Sequence, residues 1–142
     1  MEYSYHFEID MQPVAKGRPR ITHRGHVYTP KRTKDAEGFM QLRLAEQMGE
    51  EDLLQGPLRA RICFFIERPV SHFTKKGNLR KGVPTMPTSK RVGDLDNLMK
   101  AVLDSANQII WEDDAQVCDI TSTKRYCDGT YPQVILSVEP IG

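Results

Sequence analysis

No stretch of the 142 residues approaches the roughly 20 consecutive apolar positions that a membrane-spanning helix needs. The N-terminus MEYSYHFEID has neither the basic start nor the apolar core of a secretion signal, so a cytoplasmic address is expected. Cysteine is scarce: Cys63, Cys118 and Cys127 are odd in number and widely spaced. That excludes a closed disulfide framework and a CxxC-type zinc site, and predicts reduced, mostly buried thiols. No glycine-rich phosphate cradle of the Walker or dinucleotide kind occurs. Net charge is also nearly absent, with 20 Lys plus Arg against 19 Asp plus Glu. Taken as a total, this argues against a nucleic-acid partner.

The distribution of the charges reverses that inference. Residues 11–34 carry Lys16, Arg18, Arg20, Arg24, Lys31, Arg32 and Lys34 without one acid, and residues 68–93 carry Arg68, Lys75, Lys76, Arg80, Lys81, Lys90 and Arg91, again without one. The acids Asp94, Asp96, Asp104, Glu112, Asp113, Asp114 and Asp119 crowd residues 94–119, where Lys100 is the single base. Basic segments around an acidic one suit a polyanion held about a cation-binding pocket. Solvated loops give the same pattern, so charge alone does not decide.

A chain of this length supports one core, and the periodicities predict one α+β domain over 1–142, with a small mixed β-sheet and two main helices. Alternating Tyr3, Tyr5, Phe7, Ile9 and Met11 predict a strand, PVAKGRPR a loop, and ITHRGHVYT a short hairpin or extended ribbon. Thr29 as N-cap and Pro30 in the first turn open a helix over about 30–54, with Phe39, Leu42, Leu44, Ala45 and Met48 at helical spacing. LRARICFFIE reads as a central strand. Residues 69–93, with three prolines and three glycines, form a long basic loop expected to be flexible. Leu95, Leu98, Met99, Val102, Ala106 and Ile109 mark a second helix over 94–109. VCDITSTKRYC and YPQVILSVE read as strands able to pair as a hairpin through Asp128-Gly129.

In Gly93-Asp94-Leu95-Asp96-Asn97-Leu98-Met99-Lys100, two carboxylates stand where the second helix begins. Asp at that end also caps free N–H groups and complements the helix dipole, so the pair by itself leaves capping open. Asn97 adds an oxygen donor, Lys100 lies one turn after Asp96, and Asp113-Asp114 follows Trp111. If the chain turns back there, Asp114 approaches the helix start. Clustered carboxylates repel and raise one another's pKa, which a divalent ion relieves. Oxygen donors without nearby His or Cys point to Mg²⁺, with Mn²⁺ as substitute. Lys100 then serves the attacking water or the transition state, or else forms a solvated salt bridge to Asp96 or Asp104.

The run GDLDNLMKAVLDSANQIIWEDDAQV, with upstream KGRPR and HVYTP, closely resembles the RusA-type Holliday-junction resolvases, in their phage and prophage branch. The resemblance implies Asp94, Asp96 and Asp114 as catalytic metal ligands, Asp113 in support, and Lys100 as required for cleavage. It further implies a magnesium-dependent homodimer that nicks four-way DNA junctions symmetrically, leaving 5′-phosphate and 3′-hydroxyl ends, in recombination and repair. A two-fold junction needs two coordinated cuts, which a C2 dimer supplies. Ile109, Ile110 and Trp111 belong either to its interface or to the core. Lys16, Arg18, Arg20, Arg24, Lys75, Lys76, Arg80 and Lys81 are the expected DNA-binding side chains. Two alternatives remain: a nuclease for forks or flaps, and a non-catalytic DNA-binding module whose acids are only caps.

Overall fold

Strand β4 (Leu58–Ile66) is the most apolar of the chain, and the sheet is built around it. In the computed structural model, residues 3–17, 20–28, 30–129 and 131–142 are described, without the side chains of Arg20 and Tyr28. β1 (Tyr5–Ile9) is followed by the two-residue strands β2 (Arg20–Ile21) and β3 (Val27–Tyr28), then helix α1 (Lys31–Met48) and β4. Helix α2 (Leu95–Ala106), β5 (Val117–Tyr126) and β6 (Gln133–Pro140) complete the order. The main sheet runs β1-β6-β4-β5, and β2-β3 forms a separate ribbon. The α+β class and the single mixed sheet with two helices are as the periodicities predict.

Strand alternation decides which face is covered. Phe7, Leu136 and Ile62 lie in one cross-strand row, and Ile9, Val134 and Phe64 in the next. All six are buried, together with Met40, Leu44 and Met48 of α1 and Leu98, Val102 and Ala106 of α2. Each large side chain so removed from water contributes roughly 1.5–3 kcal/mol before the opposing conformational entropy is counted. The opposite face is polar: Arg59 Nε donates to Asp119 at 2.9 Å and Arg59 Nη1 to Glu139 at 2.7 Å.

Several expectations are corrected. β5 and β6 do not pair as a hairpin; β4 lies between them, parallel to β5 and antiparallel to β6. Residues 127–132 are long enough to step over one strand at the usual spacing of about 4.8 Å, and β4 offers the better apolar partner to both. α1 ends at Met48 rather than near residue 54, because Gly49 takes φ 62° and its N–H donates to Ala45 O, a left-handed stop. Its core face is Thr33, Met40, Leu44 and Met48, whereas Phe39 and Leu42 are exposed. The expected cap Thr29 lies outside the described residues. Ile110 and Trp111 are fully buried in the monomer core, with Trp111 Nε1 donating to Asn107 Oδ1 at 2.8 Å. Of the cysteines only Cys127 is buried; Cys63 is half-buried and Cys118 exposed.

A parallel β4–β5 pair demands a crossover, and residues 67–116 provide it. The crossover begins on Arg68, whose side chain is 4% exposed. Its Nε and Nη2 donate to Asp128 Oδ1 at 3.0 and 2.8 Å, Nη1 donates to Pro84 O at 2.8 Å, and the guanidinium lies 5.1 Å from the Tyr126 ring centre. Tyr126 N donates to Thr85 O at 2.9 Å. These contacts tie the 69–93 segment to the end of β5. The segment itself holds a 3-10 turn at Val70–His72 and a bridge between Phe73 and Leu79.

Candidate active site

The chain enters α2 through a close contact. Gly93 adopts φ +96°, and a Cβ there would lie 2.6 Å from the Cβ of Ala15. Glycine is therefore required on two counts, backbone hand and space. The adjoining loop is fastened on both sides: Lys16 N donates to Asn97 O at 3.1 Å, and Gly17 N to Thr33 Oγ1 at 3.1 Å. Lys124 Nζ donates to Gly93 O at 3.1 Å from β5. Both neighbours thus hold the first turn of α2 in place.

Asp94 occupies the N-cap of α2, but its side chain accepts no capping hydrogen bond. Its carboxylate is exposed, as are Asp96 and Lys100. Among the described residues none of the three makes a side-chain hydrogen bond or salt bridge. The salt bridge to Asp96 or Asp104, the alternative to a catalytic role for Lys100, is not among the contacts of the described residues. Asp96, Lys100 and Asp104 follow at intervals of four, one stripe along the helix.

The Asp113-Asp114 pair divides its labour. Asp113 accepts from Ala115 N at 2.9 Å, and the Gln116 side chain accepts from Asp113 N at 3.2 Å, a capping box for the 3-10 turn Asp114–Gln116. Asp114 is left to face α2. Burial first, then hydrogen bonding with Asp113 and with Asp104, holds its carboxyl above the usual carboxylate range. The 3-10 turn packs on α2, and Asp104, in the second half of the helix, is the α2 carboxylate that disfavours the charge on Asp114. Eight residues separate Asp96 from Asp104, about 12 Å of helix.

Asp104 also binds the ammonium of Lys16, and Lys16 Nζ stands 3.3 Å from Glu37 Oε1 of α1. The hydrogen bond to Asp104, with the nearby charge of Glu37, raises the Lys16 pKa against a smaller opposing effect of burial. Glu37 Oε1 is buried and receives no aligned hydrogen bond, only the ion-pair contact. Sequence alone does not mark Asp104 or Glu37 as a site residue; the four-residue spacing from Lys100 is the signal that places Asp104 on the stripe. The donor set is carboxylate oxygen throughout, the chemistry of a hard divalent cation. Among the described residues, however, no three His, Cys, Asp or Glu side chains surround one point.

The expected DNA-binding residues scatter over exposed segments. Arg24 lies in the turn between β2 and β3, and Lys75, Lys76, Arg80 and Lys81 are exposed in the 69–93 segment. Arg18 and the side chain of Arg20 lie outside the described residues. No helix among the described residues is long and apolar enough to cross a membrane. The family pattern of Endodeoxyribonuclease RusA matches residues 10–139. An uncharacterized protein of Bacillus subtilis (strain 168), YqaN, is 31% identical over 135 residues, covering 92% of this chain and 93% of its own length. The family match begins just after β1 and takes in β4, β5, nearly all of β6, both helices and the acidic stripe, and the chain belongs to the RusA endodeoxyribonuclease family, nucleases that act on branched DNA junctions.

Proposed function

We propose that the protein is a Mg²⁺-dependent endonuclease that resolves four-way DNA junctions as a homodimer, by paired symmetric nicks, in recombination and repair in the cytoplasm. One observation supports the reading: Asp94 sits at a helix N-cap without capping, and among the described residues Asp96 and Lys100 are equally without a side-chain partner. Carboxylates retained only to cap would accept from backbone N–H groups. These are left available.

Asp94, Asp96 and Asp114 would hold the ion, and to do so they must draw closer together than they stand without it. When bound, Mg²⁺, or Mn²⁺ in its place, supplies positive charge to the scissile phosphate and makes a water more acidic. Asp113 fixes the turn that presents Asp114. Lys100 faces the charge that builds on the phosphorus oxygens as water attacks. The P–O3′ bond breaks, leaving a 3′-hydroxyl and a 5′-phosphate. Arg18, Arg20, Arg24, Lys75, Lys76, Arg80 and Lys81 grip phosphates without reading bases. One chain offers one such site, so two simultaneous nicks call for a second copy about a two-fold axis.

The test is cleavage of end-labelled four-way junction, fork, flap and linear duplex, with and without Mg²⁺. Symmetric nicks confined to the junction are expected. Preference for forks or flaps would replace the substrate, and binding without cleavage in any metal would leave a DNA-binding module. Asp94→Asn and Asp96→Asn should stop cutting while junction binding persists; normal cutting by either would remove that residue from the metal site.

A further inference from the structure

Lys16 is positioned to serve the acids rather than the DNA. Its backbone N–H is bonded to Asn97 O in the first turn of α2, the turn that carries Asp96, while its ammonium reaches Asp104 two turns further along. The 3-10 turn that carries Asp114 packs on α2, and Asp104 is the acid of that helix that acts on Asp114. One residue thus bridges the helix start, with Asp94 and Asp96, and the point where Asp114 meets the helix. Ala15, packed on Gly93, and Gly17, bonded to Thr33, leave the intervening backbone little freedom. The Lys16 side chain is 27% exposed, and Asp104 and Glu37 are 28% and 24% exposed, so this is a partly buried triad. To contact a phosphate, the ammonium would have to leave two carboxylates, one of them with a buried oxygen that has no hydrogen-bond partner. Abandoning a part-buried acid is more unfavourable than an exposed phosphate contact is favourable.

We infer that Lys16 is a positioning residue of the nuclease site: its ammonium is the internal counter-charge of Asp104, and through Asp104 it sets where Asp114 stands. The inference rests on the nuclease reading above. It assigns Lys16 away from the phosphate-gripping set and gives Asp104 a part in the site.

The experiment compares wild type, Lys16→Met, Lys16→Arg and the double variant Lys16→Met/Asp104→Asn. Cleavage of a four-way junction is followed against Mg²⁺ concentration, and junction binding is followed against salt in EDTA. Lys16→Met should raise the half-saturating Mg²⁺ about fivefold or more and slow cleavage about tenfold, with junction affinity and salt slope as in wild type. Lys16→Arg should restore most of the loss. The double variant, which leaves no uncompensated Asp104, should require less Mg²⁺ than Lys16→Met alone, an effect that simple unfolding would not produce. Thermal melting of each variant separates misfolding from site damage.

If Lys16→Met instead weakens binding and lowers the salt slope by about one unit, with an unchanged Mg²⁺ requirement, Lys16 grips a phosphate and the inference is wrong. A double variant no better than Lys16→Met also overturns it. Wild-type protein that cuts no DNA in Mg²⁺ or Mn²⁺ would sink the nuclease reading and this inference with it. Wild-type cutting alongside an unaltered Lys16→Met sinks the inference alone.

Discussion

Replacing Asp114 by Asn should make the metal-free protein more stable while abolishing its activity. Burial, Asp113 and Asp104 together disfavour the charged form of Asp114 in the fold. Two like charges at about 4 Å repel by about 4 kcal/mol at an effective dielectric near 20, which sets a ceiling. Lys16 offsets Asp104, and water reaches the pair, so screening brings the expected gain to about 1 kcal/mol. For a domain of this size that is roughly 3–5 °C in Tm. The sign follows from linkage. A carboxyl whose folded pKa is raised contributes stability that is complete below its unfolded value, about 3.9, and is lost as pH rises through the folded value. The Asn variant never ionises and keeps that stability at neutral pH. Its advantage should be absent near pH 3.5 and appear on the way to pH 7. Thermal unfolding in EDTA across that range is the assay. Added Mg²⁺ should then raise the Tm of wild type more than that of the variant. An Asn variant less stable than wild type at neutral pH, or a gain independent of pH, would refute the reasoning.

Three other outcomes are expected. Gly93→Ala forces a left-handed alanine against Ala15 and should cost about 1–3 kcal/mol in denaturant unfolding, with only partial recovery in an Ala15→Gly background, since the backbone strain persists. Arg68→Ala leaves Pro84 O and Asp128 without their donor and should cost about 2 kcal/mol in urea midpoint terms, with new protease cleavage inside 69–93. Changing Lys75 and Lys76 to Met should flatten the salt dependence of junction binding by about one unit for each phosphate no longer gripped, while leaving the Mg²⁺ requirement alone. Unchanged binding would move the DNA path away from that segment.

Period-two alternation makes β1, β4 and β6 readable, and the spacing Leu95, Leu98, Val102, Ala106 makes α2 readable, because each pattern is imposed by one buried face. Strand order is not readable. A turn at Asp128-Gly129 looks the same locally whether its strands pair or flank a third, and the difference lies in what β4 offers both of them. The core face of α1 is not the one its spacing suggests, because Phe39 and Leu42 are large and apolar yet exposed, with Arg43 5.6 Å from the Phe39 ring centre. The charge map misleads more subtly. Residues 11–34 contain no acid, so Lys16 looks unopposed, but its partners come from 21 and 88 positions away. Separation along the chain is not separation in space. The capping question for Asp94 likewise needs coordinates, since only they show that the carboxylate does not cap.

The strand order β1-β6-β4-β5 has a consequence for how the protein comes into being. β1 and β4 are synthesised early and never touch each other within the sheet. Each pairs only with strands from residues 117–140, which leave the ribosome after both. Until then Phe64, Ile62 and Ile66 have no sheet to enter, and α2, with its row of acids, has no floor to rest on. A chain stopped before β6 should therefore be a substrate for chaperones and proteases rather than a weak nuclease, because α2 gains the floor beneath it only when β6 slides between β1 and β4.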